Sequence, residues 1–184
     1  MVSAQVGGNV VRSTAPGSTG AFRLARLDPG TYDVVITADG RATAVIAGVP
    51  VASDGSVVAV SSSDMPITLP FSDTREISGA VDLMPPDVNV FPFVSAKQRV
   101  GSVPSVTVGS QATDAAGVYT LSLPVAAPLV GQYMAGGTLP IPFDAEPATA
   151  GQYTVEAAAA GYQTKSSGQD ISSTNASANF TLGL

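Results

Sequence analysis

The run GAFRLARLDPGTYDVVITADG, residues 20–40, decides the predicted fold of this chain. Apolar residues alternate at positions 22 and 24 and again from 32 to 36, which is the period-two pattern of a half-buried β-strand. Between the two arms lies Asp28-Pro29-Gly30, a combination that favours a turn, because proline presets one backbone angle and glycine accepts conformations closed to other residues. The run therefore predicts a β-hairpin.

The same pattern returns later, as GVYTL at 117–121 and GQYTVEAAAAG at 151–161. The two arms begin at residues 20 and 30 in the first copy and at 117 and 151 in the second, so the second copy carries 24 additional residues. These fall within 124–150, where dense proline and glycine predict an irregular inserted loop of a length that is usually functional or mobile. The repeat predicts an all-β protein of two tandem Greek-key β-sandwich modules, 1–72 and 73–184.

Short apolar runs between turn residues supply the other predicted strands. They are 44–46, 49–51, 56–60 and 67–69 in the first module, and 77–81, 88–94, 103–108 and 178–182 in the second. Residues 1–19 offer little strand material, so the first module lacks one or two opening strands. We therefore expect its open sheet edge either to be completed by another segment or to recruit a second copy as a homodimer.

The composition argues against several classes of function. The chain is 45% hydrophobic and 12% charged, so it can bury a core, and its net charge of -6 opposes binding to nucleic acid. It contains neither histidine nor cysteine, which removes the imidazole base, the thiol nucleophile and the disulfide. A Ser–Lys pair through Lys97 or Lys165 is the remaining route to catalysis, and no spacing singles out a serine. We expect no enzyme activity and no cofactor.

Two further absences concern membranes and export. No apolar run reaches the ~20 residues of a membrane helix, so we expect no membrane insertion in this segment. The first residues lack the charged and apolar regions of a signal peptide, so an export signal would have been removed or lie upstream.

Several of these residues together resemble the carboxypeptidase regulatory-like, or transthyretin-like, β-sandwich family. TDAAGVYTL at 113–121 is similar to the family pattern D-x-x-G-x-F/Y-x-L. GQYTV at 151–155 and AAGY at 159–162 resemble its L-x-P-G-x-Y-x-V and A-x-G-Y, as does LDPGTYDV at 27–34, although Arg41 replaces a tyrosine. The resemblance implies a seven- or eight-strand sandwich that is usually a non-catalytic module beside peptidases, surface adhesins or outer-membrane receptors.

Candidate binding residues are three aromatics in or near predicted loops: Tyr133, Phe143 and Tyr162. Exposed rings there could stack on sugars or anchor a protein partner. The other interpretation is structural, because Phe143 in particular can cover the end of a sandwich.

Metal and cross-link chemistry have weaker support. Aspartates at predicted turns could offer oxygens to calcium, but their spacing does not fit the EF-hand loop, and turn aspartates usually bind their own backbone. They are Asp39, Asp54, Asp64, Asp73 and Asp114. Glu156 resembles the acid that assists a Lys–Asn isopeptide bond in collagen-adhesin B-type repeats. It should, however, face away from Tyr153 and Val155, and no lysine lies in 77–81. We expect neither a metal nor an isopeptide bond.

The predicted function is a non-catalytic structural or protein-interaction module of an exported bacterial protein. Composition and family resemblance indicate the periplasm, the cell surface or secretion. The alternatives are a carbohydrate-binding module, which would use the aromatic loops, and an accessory domain of a larger hydrolase.

Overall fold

A computed structural model describes residues 1–54, 56, 58–60, 66–101, 103–134 and 141–184. This part of the chain is built of β-strands, with one 3-10 turn at Pro147–Thr149, which confirms the predicted all-β sandwich class. The strands are β1 (Val2–Val6), β2 (Asn9–Thr14), β3 (Gly30–Ile36), β4 (Ala44–Val51), β5 (Thr74–Met84), β6 (Phe93–Val100), β7 (Val103–Ala112), β8 (Val118–Pro124), β9 (Leu129–Gln132), β10 (Asp144–Ala145), β11 (Gln152–Ala158), β12 (Lys165–Asp170), β13 (Ala176–Ser177) and β14 (Phe180–Gly183).

These strands form three sheets. The first sheet has six strands in the order β10-β9-β4-β3-β1-β2, and the second has four in the order β12-β11-β6-β7. The third is organised on β5, which pairs antiparallel with β8 and parallel with β13 and β14. Residues from both halves of the chain therefore contribute to the first sheet, because β9 and β10 belong to the 124–150 segment.

The second and third sheets enclose the larger hydrophobic core. Alternate residues of each strand point into it, as the period-two rule requires. In β11 the inward residues are Tyr153, Val155 and Ala157, each at most 3% exposed. The core also contains Ile77 and Val81 of β5 and Tyr119, Leu121 and Leu123 of β8.

The centre of the first sheet, formed by β3 and β4, is buried on both faces. Val35 and Val45 pack into the larger core together with residues of the second half. Their neighbours Val34 and Ile46 point to the other face, where a smaller core also contains the partly buried Phe22. A sheet covered on both sides explains the nearly continuous apolar sequence of β4, in contrast to the alternation of a half-exposed strand.

The predicted hairpin of residues 20–40 is wrong in its pairing. Its second arm is β3, but residues 21–29 form no strand, and β3 pairs instead with β1 and β4. The apolar alternation of the first arm indicates buried side chains and not a strand, since Phe22 and Leu24 are partly buried against the smaller core. The second copy is also not a hairpin, because β8 pairs with β5 whereas β11 pairs with β6 and β12.

Some of the other strand predictions are confirmed and some are wrong. Those at 77–81 and 103–108 are confirmed, and 44–46 and 49–51 are one strand, β4, whose pairing with β3 contains a bulge. The strand predicted at 67–69 is absent, and β6 begins only at Phe93, so 88–92 is loop. For 56–60 only 56 and 58–60 are described, and they form no strand.

The 124–150 segment contains more regular structure than its composition predicts. Its prolines lie at the boundaries of elements, with Pro124 ending β8, Pro128 preceding β9 and Pro147 opening the 3-10 turn. Proline is tolerated at such positions because no backbone N–H is required there. Residues 135–140 lie outside the described part of the chain.

The open edge of the first sheet is completed within the chain on one side. β9 pairs in parallel with β4, from Ala44 opposite Leu129 to Ala47 opposite Gln132. The opposite edge is β2, whose residues are almost all exposed. The prediction that residues 1–19 offer little strand material is therefore wrong, because they form both β1 and β2. Dimerisation and the module boundary at residue 72 stay predictions.

Candidate functional site

The three predicted binding aromatics do not form one surface. Tyr133 and Phe143 are partly buried against the smaller core, and the backbone N–H of Tyr133 donates to Ala47 O at 2.9 Å. Tyr162 packs against the larger core instead, and its hydroxyl donates to Pro85 O at 2.6 Å. The structure thus places the first two over one face of the first sheet and the third at the end of the other two sheets.

A shallow cleft of about 240 Å³ lies on the opposite face of the β9–β10 pair. Its lining residues alternate with Tyr133 and Phe143 along the chain, so they point the other way. They are Val130, Gln132, Met134, Pro142, Asp144 and Glu146. Two carboxylates and one amide could hold a small cation or amine, but these lining residues include no hydroxyl, thiol or amine nucleophile.

Two of the predicted turn aspartates, Asp54 and Asp114, fix the backbone of their turns. Asp114 Oδ1 accepts hydrogen bonds from the N–H groups of Ala116 and Val118 at 2.9 and 2.8 Å. Asp54 Oδ1 accepts one from Ser56 N at 2.8 Å, and this hydrogen bond lowers the pKa of Asp54. Asp64 lies outside the described residues. In the described ranges no three His, Cys, Asp or Glu side chains are grouped as a metal site would require.

Lys97 and Glu156 form an ion pair across β6 and β11. Lys97 Nζ lies 3.1 and 3.2 Å from the two carboxylate oxygens of Glu156, on the outer face of the second sheet. Ala157 occupies the inward position and is fully buried, as expected. The arrangement pairs the ammonium group of the lysine with a carboxylate, so each charge has a partner of opposite sign.

Two tyrosines are buried with their hydroxyls satisfied. Tyr119 donates to Ala178 O and Tyr153 donates to Pro124 O, both at 2.6 Å. Burial raises the pKa of Tyr119 to about 12 and also raises the pKa of Tyr153 above its ordinary value. The two hydroxyls therefore hold neighbouring segments together by hydrogen bonds, and neither tyrosine acts as an acid or a base near neutral pH.

We expect the free energy of unfolding to fall as the pH rises from about 10 to about 12. An unfolded tyrosine releases its proton near pH 10, whereas native Tyr119 retains it to about 12, so the native state binds more protons across this window. Urea unfolding midpoints measured from pH 8 to pH 12 check this. Tyr119→Phe should flatten the alkaline decline, and an unchanged slope would contradict the assignment.

A contact that the sequence did not reveal joins the first sheet to β7. Gln5 is fully buried, its Nε2 donates to Thr107 O at 2.7 Å, and its Oε1 accepts from Thr107 N at 2.8 Å. The Thr107 hydroxyl donates to Gly8 O at 2.6 Å. Any side chain at Gly8 would overlap the carbonyl oxygen of Ser105, and its φ of +79° favours glycine. The one sequence signal is the polar Gln5 between the apolar residues Ala4 and Val6 of β1.

The fold and these contacts define an all-β sandwich protein whose two halves are joined by backbone and side-chain hydrogen bonds. No family model matches the sequence, and no curated protein is significantly similar to it. Among the described residues no helical segment has the length and apolar character needed to cross a bilayer.

Proposed function

We propose that this chain is a non-enzymatic structural module, acting as a rigid spacer in an exported bacterial protein. The observation that carries the proposal is the pairing of β9 with β4. This strand comes from the second half of the sequence and extends the sheet of the first half, with Leu129 N donating to Thr43 O at 2.8 Å. A spacer must resist bending between its ends, and a shared sheet resists bending more than a flexible linker does.

The shared core supports the same role. Val35, Val45 and Ala47 of the first sheet are each at most 5% exposed and pack in one cluster with Ile77, Tyr119 and Val155. Separating the halves would expose these side chains, and burial of an aliphatic side chain contributes about 1.5–3 kcal/mol. The halves are therefore stabilised by each other.

The chemistry of the side chains supports a non-enzymatic role. The sequence has no histidine or cysteine, and Lys97, one of its two lysines, is paired with Glu156. The resemblance to carboxypeptidase regulatory-like sandwiches agrees with this, because such modules are usually non-catalytic. We extend the proposal to membership of that family and to export on the same resemblance and on composition.

Residual dipolar couplings test the rigid spacer. The backbone amides of β3 and β4 and those of β5, β8 and β11 should fit one common alignment tensor, because the shared sheet prevents independent rotation. Two tensors of different magnitude for the two groups of strands would overturn the proposal. The Lys97→Gln variant, altered on an outer face, is a control that should retain the single tensor.

A further inference from the structure

Exposed apolar side chains are concentrated at one end of the second and third sheets. Twelve large hydrophobic residues are exposed in the described part of the chain, and six of them lie at this end. They are Met84, Val88, Phe91, Phe93, Val118 and Leu184. The strand pairings bring them there: β5 and β14 end together at Met84 and Gly183, and β6 starts beside the ends of β7 and β11.

Four of the six lie in the connection between β5 and β6 or at the strand residues that border it, and we call them the apolar loop: Met84, Val88, Phe91 and Phe93. Val88 is 88% exposed, Met84 62%, Phe91 61% and Phe93 50%. Monomeric soluble proteins rarely expose several large apolar side chains together without a binding role. The apolar loop is thus the most conspicuous candidate for an interaction surface on the described chain.

Hydrogen bonds from several elements hold this connection in place. Pro85 O accepts from the Tyr162 hydroxyl at 2.6 Å, and Pro92 O accepts from Thr113 N at 2.9 Å. Inside the loop, Asp87 Oδ1 accepts from Asn89 N at 2.9 Å. The apolar side chains are therefore presented on a fixed backbone, and a partner would not need to order the loop on binding.

The charges around the apolar loop are mainly negative. Asp82, Asp87 and Asp114 are exposed beside it, and Lys165 at the start of β12 is the nearby cation. A second copy of the chain would bring two sets of carboxylates together, and an anionic lipid surface would be repelled. A basic partner would meet complementary charge.

We propose that the apolar loop docks a protein segment in which aliphatic or aromatic side chains are flanked by lysine or arginine. The apolar side chains of that segment would cover Val88 and Phe91, and its basic residues would pair with the surrounding carboxylates. This docking adds a binding role to the proposed structural role. It depends on that role only because the sandwich must hold the apolar loop rigidly.

Immobilised peptides of about twelve residues test this, in four classes: apolar with basic, apolar with acidic, apolar with neutral, and polar basic. Wild-type chain should bind the first class preferentially. For the best peptide, Phe91→Ser and Val88→Ser should each weaken the affinity about tenfold or more, as expected for central apolar contacts. Asp82→Lys should weaken it about threefold or more, and added salt should also weaken binding to the wild type.

The matched control is Phe71→Ser. Phe71 is 81% exposed and lies beside the start of β5, at the far end from the apolar loop. This variant should bind the peptide like wild type. The apolar-loop variants should keep the wild-type melting temperature, and Phe71→Ser should lower it only slightly, because its ring contacts the Arg41 guanidinium at 3.6 Å.

Four results would overturn the docking proposal. They are the absence of any bound peptide, preference for acidic or neutral peptides, undiminished binding by both Phe91→Ser and Val88→Ser, and self-association or binding to phosphatidylglycerol vesicles through the loop. None of these results affects the common alignment tensor, so failure of the docking proposal is distinguishable from failure of the spacer.

Discussion

Gly79→Ala is expected to lower the free energy of unfolding by about 3 kcal/mol or more, in the upper range for overpacking of a core. Gly79 lies in β5, beside Ala178 in the short connection between β13 and β14. An added Cβ would overlap Ala178 O and lie 2.7 Å from Ala178 C. Both are backbone atoms, so no side chain can rotate to make room. The same carbonyl accepts the hydrogen bond of Tyr119, which a shift of Ala178 would also break.

Thermal and urea unfolding of Gly79→Ala measure this loss. Gly168→Ala is the matched control, because the added Cβ at Gly168 meets nothing within 4 Å. The control should unfold within about 0.5 kcal/mol of wild type, as surface substitutions usually do. If Gly79→Ala were as stable as Gly168→Ala, the close passage of Ala178 over β5 would be wrong.

Gln5→Leu is the second substitution with a large expected effect. The leucine cannot replace either hydrogen bond to Thr107, so the N–H and C=O of that residue lose their Gln5 partner. Leaving a buried polar group unsatisfied costs about 1–3 kcal/mol, so the two together should lower the free energy of unfolding by about 3 kcal/mol. The loss should appear in the whole protein, because Gln5 joins the first sheet to β7.

Gln98→Leu is the matched control for this substitution. Gln98 is also fully buried, but it donates one longer hydrogen bond, 3.3 Å to Thr149 O, and its Oε1 has no partner among the described residues. Its replacement should cost less than about 1 kcal/mol. Equal losses for the two glutamines would mean that the contact between Gln5 and Thr107 contributes no special stability.

The sequence predicts strands well where apolar residues alternate and one face is buried. β8 and β11 follow this rule and lie where it places them; β3 also lies in its predicted place, although Val34 and Val35 bury both of its faces. It does not predict partners, because alternation assigns a residue to a face and carries no information about the neighbouring strand. The repeat therefore predicts three of its four arms correctly as strands, β3, β8 and β11, but it pairs them with the wrong partners.

The sequence pattern does not predict three other strands, β1, β9 and β12, and the reasons are physical. β12, with the sequence KSSGQD, lies at a sheet edge and buries none of its side chains fully, so it needs no apolar residue. β9 is held by parallel pairing to β4, a contact between segments about 85 residues apart that local patterns cannot report. β1 contains Gln5, whose burial depends on Thr107, again a distant residue.

The candidate surfaces show the same limit. The sequence identifies Tyr133, Phe143 and Tyr162 as aromatic and near loops, but the fold packs all three against a core, two against the smaller one and Tyr162 against the larger one. Phe91 and Phe93 belong to the strand predicted at 88–94, but β6 begins only at Phe93 and both rings are exposed.

Scanning calorimetry of the wild-type chain beside Gln5→Leu tests the central claim most directly. Because the halves share a sheet and a core, the wild type should unfold in one transition whose calorimetric and van't Hoff enthalpies agree. Gln5→Leu should move that single transition down by about 10 °C. Two separate transitions in the wild type, with only the earlier one sensitive to Gln5, would contradict the account and indicate two independent units.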